Sequence, residues 1–244
     1  GTPEQRVLKF DDGTSDALPE AAKWQYRTAP GIGEPPHAPW ASAAGLGSIY
    51  NGMIAPLGDY GLKGVAWYQG ESDGGMAERY AEKLGSMMGA WRGQFGNATL
   101  PFLIVQLPDW GARVQTPAES SFANIRDQQR RAVEKDGHAA LIVTVDAGDP
   151  ANLHPENKQV IGRRLARSAG ILAYGATGFA SGPQPREFRV DGRGIAVYFG
   201  GVEGSLVAYS GSQIIGFELC GPAMGSCRFT SATVDDGGVL VRTD

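Results

Sequence analysis

Residues 62–74 read LKGVAWYQGESDG. The apolar run 62–68 predicts a strand. It ends in the polar, glycine-rich stretch Gln69-Gly70-Glu71-Ser72-Asp73-Gly74-Gly75, and a helical period follows over 76–95. There Met76, Tyr80, Leu84, Met87 and Trp91 recur at spacings of three and four. The unit recurs twice downstream. Residues 101–107 (PFLIVQL) predict a strand entered through Pro101, then a helix over 118–136 with Phe122, Ile125, Gln129 and Val133 on one face. Residues 139–146 predict a third strand, then a helix over 155–174 with Pro155 in its first turn. Strands alternating with helices in this way predict an α/β fold with a parallel sheet and flanking helices.

The flanking regions have a different texture. Residues 1–48 are loop-rich. Beyond 176 come short alternating runs at 187–190, 194–199, 205–209, 213–219, 228–234 and 238–242, separated by DG, GG and SGS turns. They predict an antiparallel meander, a small β-sandwich or its greater part. The expected organisation is an α/β domain over 1–176 and a strand-rich domain over 177–244. The chain opens on Gly1-Thr2-Pro3 and closes just past a strand-like VLV. Both domains are therefore expected to be incomplete, the first at its N-terminus and the second at its C-terminus.

Composition narrows the function. Of 244 residues 42% are hydrophobic and 20% charged, which is too apolar for a disordered chain. The net charge is −4 and no basic stripe occurs, which argues against nucleic acid as a partner. No apolar run approaches the ~20 residues of a membrane span, and no basic cluster flanks an amphipathic helix, so no membrane partner is expected. No CxxC, HExxH or close His pair suggests a metal, and no Gly-x-Gly-x-x-Gly or P-loop suggests a nucleotide; no cofactor is expected. The two cysteines, Cys220 and Cys227, flank a Gly/Pro-rich turn. A hairpin disulfide there would favour an exported protein, secreted or periplasmic; two buried thiols are the other reading.

In an open parallel sheet ligands bind beyond the carboxyl ends of the strands. Three polar clusters follow those ends: Gln69 to Gly75; Pro108-Asp109-Trp110; and Asp146, Asp149 and His154. Of the three histidines, His37 lies in a proline-rich loop and His138 before a strand. His154 alone follows the rim with aspartates before it, as a general base with a carboxylate partner would. It would serve equally as a loop residue capping the next helix. The Gln69–Ser72 turn offers backbone N–H groups and a side-chain amide for an oxyanion, or simply an N-cap at Ser72 or Asp73. Gly70-Glu71-Ser72-Asp73-Gly74 also fits the G-x-S-x-G elbow by letter, a weak signal in a glycine-rich chain. Trp67, Trp91, Trp110 and Tyr68 read as core residues or as the lining of a sugar-stacking cleft.

Two long motifs carry a family resemblance. YNGMIAPLGDYGLKGVAWYQGESDG (50–74) and DAGDPANLHPENKQVIGRRLA (146–166) resemble the sialate O-acetylesterases, a branch of the SGNH hydrolases. IRDQQRRAV (125–133) resembles a helix of the same proteins, and the strand-rich tail resembles their following β-domain. The resemblance spans about 48–244. It implies an SGNH-like (flavodoxin-like) parallel sheet followed by a small antiparallel β domain. It also implies a Ser/His acyl-enzyme mechanism that removes O-acetyl groups from sialic acid, xylan or other acetylated glycans. His154 would be the base, with Gln69 and the Gly70 backbone as oxyanion donors, Glu71 and Asp73 shaping the turn, and Glu71 and Ser72 grouped with the oxyanion and substrate-binding residues. Family members often carry an aspartate three residues before the histidine, where this chain has Ala151, or two before it, where it has Asn152. That leaves Asp149, the favoured acid partner, and Asp146; a Ser–His dyad is open too. A carboxylated sugar would call for Arg113 or Arg126.

The family's nucleophile lies in a G-Q-S-N-M-like block that these 244 residues lack. The expectation is that a preceding segment or a second chain supplies the serine, with Ser72 as the substitute within this chain. A non-catalytic carbohydrate-binding or scaffold protein on a degenerate hydrolase fold is the rival reading.

Overall fold

The computed structural model describes residues 7–9, 11–17 and 47–242 other than 210, 224 and 236. The chain forms two compact units, residues 1–56 and 57–244. In the first, β1 (Val7–Lys9) pairs antiparallel with β2 (Ser15–Ala17). The Asp12 carboxylate closes the turn by accepting from the backbone N–H and hydroxyl of Thr14. A π-helical turn, Tyr50–Ile54, lies in the same unit. His37 lies outside the described residues.

The second unit holds the parallel sheet. Its order is β3 (Val65–Tyr68), β4 (Phe102–Val105), β5 (Ala139–Ile142), with Val65, Phe102 and Ala139 in register. The central strand is FLIV, and all four residues are buried. Phe102 and Ile104 point to one face, against Tyr80, Leu84 and Met88 of helix α1 (Tyr80–Gln94) and Ile125 and Val133 of α2 (Ser121–Lys135). Leu103 and Val105 point to the other, against Ile161 and Leu165 of α3 (Lys158–Tyr174). A strand covered on both faces must be a continuous apolar run, as this one is. Each of its large side chains contributes about 2 kcal/mol of burial.

The elements are shorter than their sequence patterns. Residues 71–79 form a 3-10 segment with a non-helical Met76 (φ −137°), so α1 starts at Tyr80 rather than near 76. Gly74 and Gly75 fall in this stretch and weaken the helix there. Helix α3 begins at Lys158, leaving Pro155 outside its first turn. Proline disfavours the helical conformation for the residue before it, His154, and the chain stays in loop form until Asn157. At its far end Gly175 is left-handed (φ +73°), and the Ala176 N–H closes on the Gly170 carbonyl at 2.9 Å.

Beyond α3 the chain crosses to a five-stranded antiparallel sheet, in the order β6 (Gln184–Asp191), β7 (Gly194–Gly200), β10 (Gly238–Arg242), β9 (Arg228–Asp235), β8 (Ile214–Leu219). Its core is Val197, Ala232, Val239 and Val241. Two expectations need correction. The described strands form one sheet, not a sandwich, and residues 205–209 are not a strand. Gly201 and Gly204, both with positive φ, bend the chain before that run, and Val207 and Tyr209 face solvent. Cys220 and Cys227, between β8 and β9, are joined by a disulfide. The crossing segment is tied back to the parallel sheet: the Ser168 hydroxyl meets the Ala180 carbonyl at 2.6 Å, and the Leu141 N–H donates to the Ser181 hydroxyl at 3.0 Å.

Candidate active site

All three predicted clusters lie at the carboxyl ends of β3, β4 and β5, and buried polar side chains set their shape. At the end of β3, Gly70 has φ +152°, and a Cβ there would lie 2.8 Å from Ile125 Cγ2. Only glycine satisfies both conditions. The preceding Gln69 carbonyl accepts two hydrogen bonds, from the Tyr80 hydroxyl (2.7 Å) and from Gln129 Nε2 (3.0 Å). Gln129 lies wholly buried on α2. Its Nε2 also reaches the Val105 carbonyl, and its Oε1 accepts from the Leu107 N–H at 3.0 Å. One side chain thus links the ends of β3 and β4. The Gln69 amide nitrogen donates to Asp73 Oδ2 at 3.1 Å, and Lys83 holds the other Asp73 oxygen at 2.9 Å. That leaves Gln69 Nε2 a second hydrogen for a ligand. Burial raises the Asp73 pKa, but the hydrogen bonds from Lys83 and Gln69 and the Lys83 charge outweigh it, so Asp73 titrates below the ordinary aspartate range. Burial, with Asp73 and Glu71 nearby, raises the Tyr80 phenol.

The loops after β4 and β5 lock together. A Cβ on Gly148 would collide with the Asp109 carbonyl, so the two backbones are in contact. The Gly111 N–H donates to the Pro150 carbonyl at 3.2 Å. From there two side-chain turns lead to the histidine. Asp149 Oδ1 accepts from the Ala151 N–H and Asn152 Oδ1 from the His154 N–H, each at 2.9 Å. Asp146 is engaged elsewhere: both its oxygens meet Arg164 at 2.6 Å, and Arg164 also donates to the Val143 carbonyl. The Arg164 hydrogen bonds hold the Asp146 carboxyl below its ordinary range.

Between the β3 turn and the β5 loop lies an open cavity of about 410 Å³, lined by Tyr68, Glu71, Ser72, Leu153, His154 and Lys158. His154, Glu71 and Ser72 therefore share one cavity; Gln69, Gly70, Asp146 and Asp149 lie outside its lining. Lys158 Nζ stands 5.0 Å from the Tyr68 ring centroid. The tryptophans divide. Trp67 and Trp91 pack edge-to-face at 6.0 Å against the core, whereas Trp110 lies on the rim and is exposed. Sequence reasoning missed the positioning roles of Gln129 and Tyr80. A glutamine inside the apolar stripe Ile125–Gln129–Val133 was the available signal, because a buried amide needs partners. Tyr68, read from the sequence as core or cleft lining, is a cavity wall; Lys158 as another wall carried no such signal.

A short parallel sheet covered by helices on both faces, with polar loops gathered at the carboxyl ends of its strands, is a flavodoxin-like layout. The family model described as carbohydrate esterase, sialic acid-specific acetylesterase matches residues 33–170, more than half of the chain, and the chain belongs to that family. It is similar to the sialate O-acetylesterase of Rattus norvegicus, 28% identical over 173 residues, covering 64% of this chain and 32% of that protein. The Homo sapiens sialate O-acetylesterase is 29% identical over 160 residues, covering 58% and 30%. A solved carbohydrate acetylesterase from Xanthomonas citri superposes with a TM-score of 0.72 at 33% identity, over 84% of this chain and 49% of that one. The chain thus spans about a third of the length of the curated relatives and about half of that structure.

Proposed function

We propose that this chain carries the histidine and oxyanion parts of a carbohydrate O-acetylesterase acting on acetylated sugars. The observation that carries the reading is the cavity that His154 shares with Glu71 and Ser72 of the β3 turn. A serine hydroxyl attacks the acetyl carbonyl while His154 takes its proton, so an O–C bond forms and the carbonyl oxygen becomes an oxyanion. Gln69 Nε2 and the Gly70 N–H, just before the Glu71–Ser72 part of the cavity lining, are the donors this reading assigns to that charge. Collapse of the intermediate releases the sugar hydroxyl, which takes the proton back from His154. Water then cleaves the acyl-serine by the same steps and gives acetate. Asp149 is the favoured partner for His154: it belongs to the same loop, whereas the Asp146 carboxylate is committed to Arg164.

The serine comes, in this reading, from a segment preceding this chain or from a second chain. Among the described strands β3 pairs on one side only, with β4. Ser72 is the second reading, favoured by its exposure in the cavity lining. The Cys220–Cys227 disulfide supports a secreted or periplasmic protein. The test is hydrolysis of p-nitrophenyl acetate by the full-length protein. His154→Ala is expected to lower kcat by about a thousandfold or more, and Ser72→Ala to leave it near wild type. Turnover unchanged in His154→Ala would sink the assignment, and loss in Ser72→Ala would move the nucleophile to Ser72.

A further inference from the structure

We propose that Trp110 is a stacking platform for a pyranose ring next to the acetylated one, so that the substrate is an oligosaccharide or polysaccharide rather than a free acetylated monosaccharide. The inference rests on the acetylesterase reading and names its substrate class.

Trp110 follows β4, between the two loops that bound the cavity, and 45% of its surface is exposed. Its ring is not a loose surface residue. It packs on Phe122 at 5.2 Å between centroids, tilted by 35°, and Phe122 in turn packs on the core beneath α2. The neighbouring backbone is pinned too, by the contact of Asp109 with Gly148 and by the Gly111–Pro150 hydrogen bond. One face of the indole is thus backed and held while part of its surface meets solvent. The electron-rich face of an aromatic ring attracts the positively polarised C–H bonds along one side of a pyranose. Such a ring also needs hydroxyl partners at its edge, and Asp109 and Arg113, exposed on the same loop, supply an acceptor and a donor.

Chain connectivity bounds the separation of Trp110 from His154. Pro150, bonded to the residue after Trp110, is four residues from His154, and four residues of backbone reach at most about 14 Å. A monosaccharide held at His154 would not need a platform that lies outside the cavity lining. A glycan bearing the acetyl group on one ring would lay a neighbouring ring on it.

The test uses the full-length protein and its Trp110→Ala and Trp110→Phe variants. Tryptophan fluorescence is titrated with β-linked xylo-, gluco- and manno-oligosaccharides, and KM and kcat are measured on acetylated forms of those chains, on acetylated monosaccharides and on p-nitrophenyl acetate. Wild type is expected to respond to at least one oligosaccharide series. Trp110→Ala should raise KM for that series about tenfold or more, with its kcat and all aryl acetate kinetics unchanged. Trp110→Phe should recover most of the affinity. An unchanged KM in Trp110→Ala overturns the proposal, as does an equal loss on the aryl acetate or no fluorescence response to any chain. Absence of aryl acetate turnover in wild type would instead remove the esterase reading, and the fluorescence arm would still decide whether Trp110 binds sugar.

Discussion

Gly70 shows how much of this rim depends on a missing side chain. Its φ of +152° is open to glycine alone, and the space a Cβ would need is taken by Ile125, with the Tyr80 hydroxyl and the Gln129 amide close behind. Gly70→Ala must therefore move α2 or the β3 turn, and either shift carries the Gln69 carbonyl away from its two donors. The expected cost is about 2–4 kcal/mol of stability, combining backbone strain with overpacking. Chemical denaturation would read it, and a loss below about 0.5 kcal/mol would show that the turn relaxes freely. The position of Gly70 after a strand was legible in the sequence, because only a strand-to-helix turn explains a polar, glycine-rich stretch between an apolar run and a helical period. Its clash partner was not legible. Ile125 is 55 residues away, and no local pattern records which helix face meets which turn.

At the scale of elements, strand and helix order could be read because apolar periodicity changes where the chain changes layer. The boundaries could not, because they are set by tertiary partners. Pro155 reads as a first-turn proline, yet the residues around it build the loop that carries His154, and α3 starts only after Asn157. Likewise 205–209 alternates like a strand but has no neighbour to pair with among the described strands. One ion pair shows how the elements are fastened. Arg92, near the end of α1, meets both oxygens of Asp136 at 2.6 and 2.9 Å, with each side chain only 13% exposed. It also donates to the Leu100 carbonyl before β4, while Asp136 accepts from the His138 N–H before β5. The pair thus joins one end of two helices to the entries of two strands. Arg92→Met leaves a poorly hydrated carboxylate and is expected to cost about 3 kcal/mol, a fall in Tm of roughly 6–12 °C for a chain of this size. Calorimetry would measure it, and the double change with Asp136→Asn should recover part of the loss. If Arg92→Met alone melts with wild type, the pair is ornamental.

Over the whole molecule the same pairs set the acid limit of stability. Five of the described aspartates titrate below their ordinary value of 3.8, and four of them, all but Asp12, are paired with a lysine or arginine. For Asp146 the leading cause is its hydrogen bonding to Arg164. For Asp73, Asp127 and Asp136 burial pushes the other way, and bonds to Lys83 with Gln69, to Arg130 with Arg131, and to Arg92 with the His138 N–H outweigh it. A carboxyl whose folded pKa is depressed binds its proton more readily in the unfolded chain. Its stabilisation is complete above the unfolded value and is lost as pH falls through the lower folded one. Stability from these groups is therefore expected to be flat above about pH 5 and to fall steeply below the ordinary aspartate value. Salt should separate them. Asp127 and Asp146, 39% and 59% exposed, are screened, whereas Asp136 keeps its share. Denaturation midpoints between about pH 3 and about pH 6, at low and high salt, test this directly. The Asp136→Asn variant should show a shallower acid slope at both salt levels. Midpoints that hold steady or rise on acidification would mean that these pairs are made equally in the unfolded chain, and that the clamps described here do not set the acid limit.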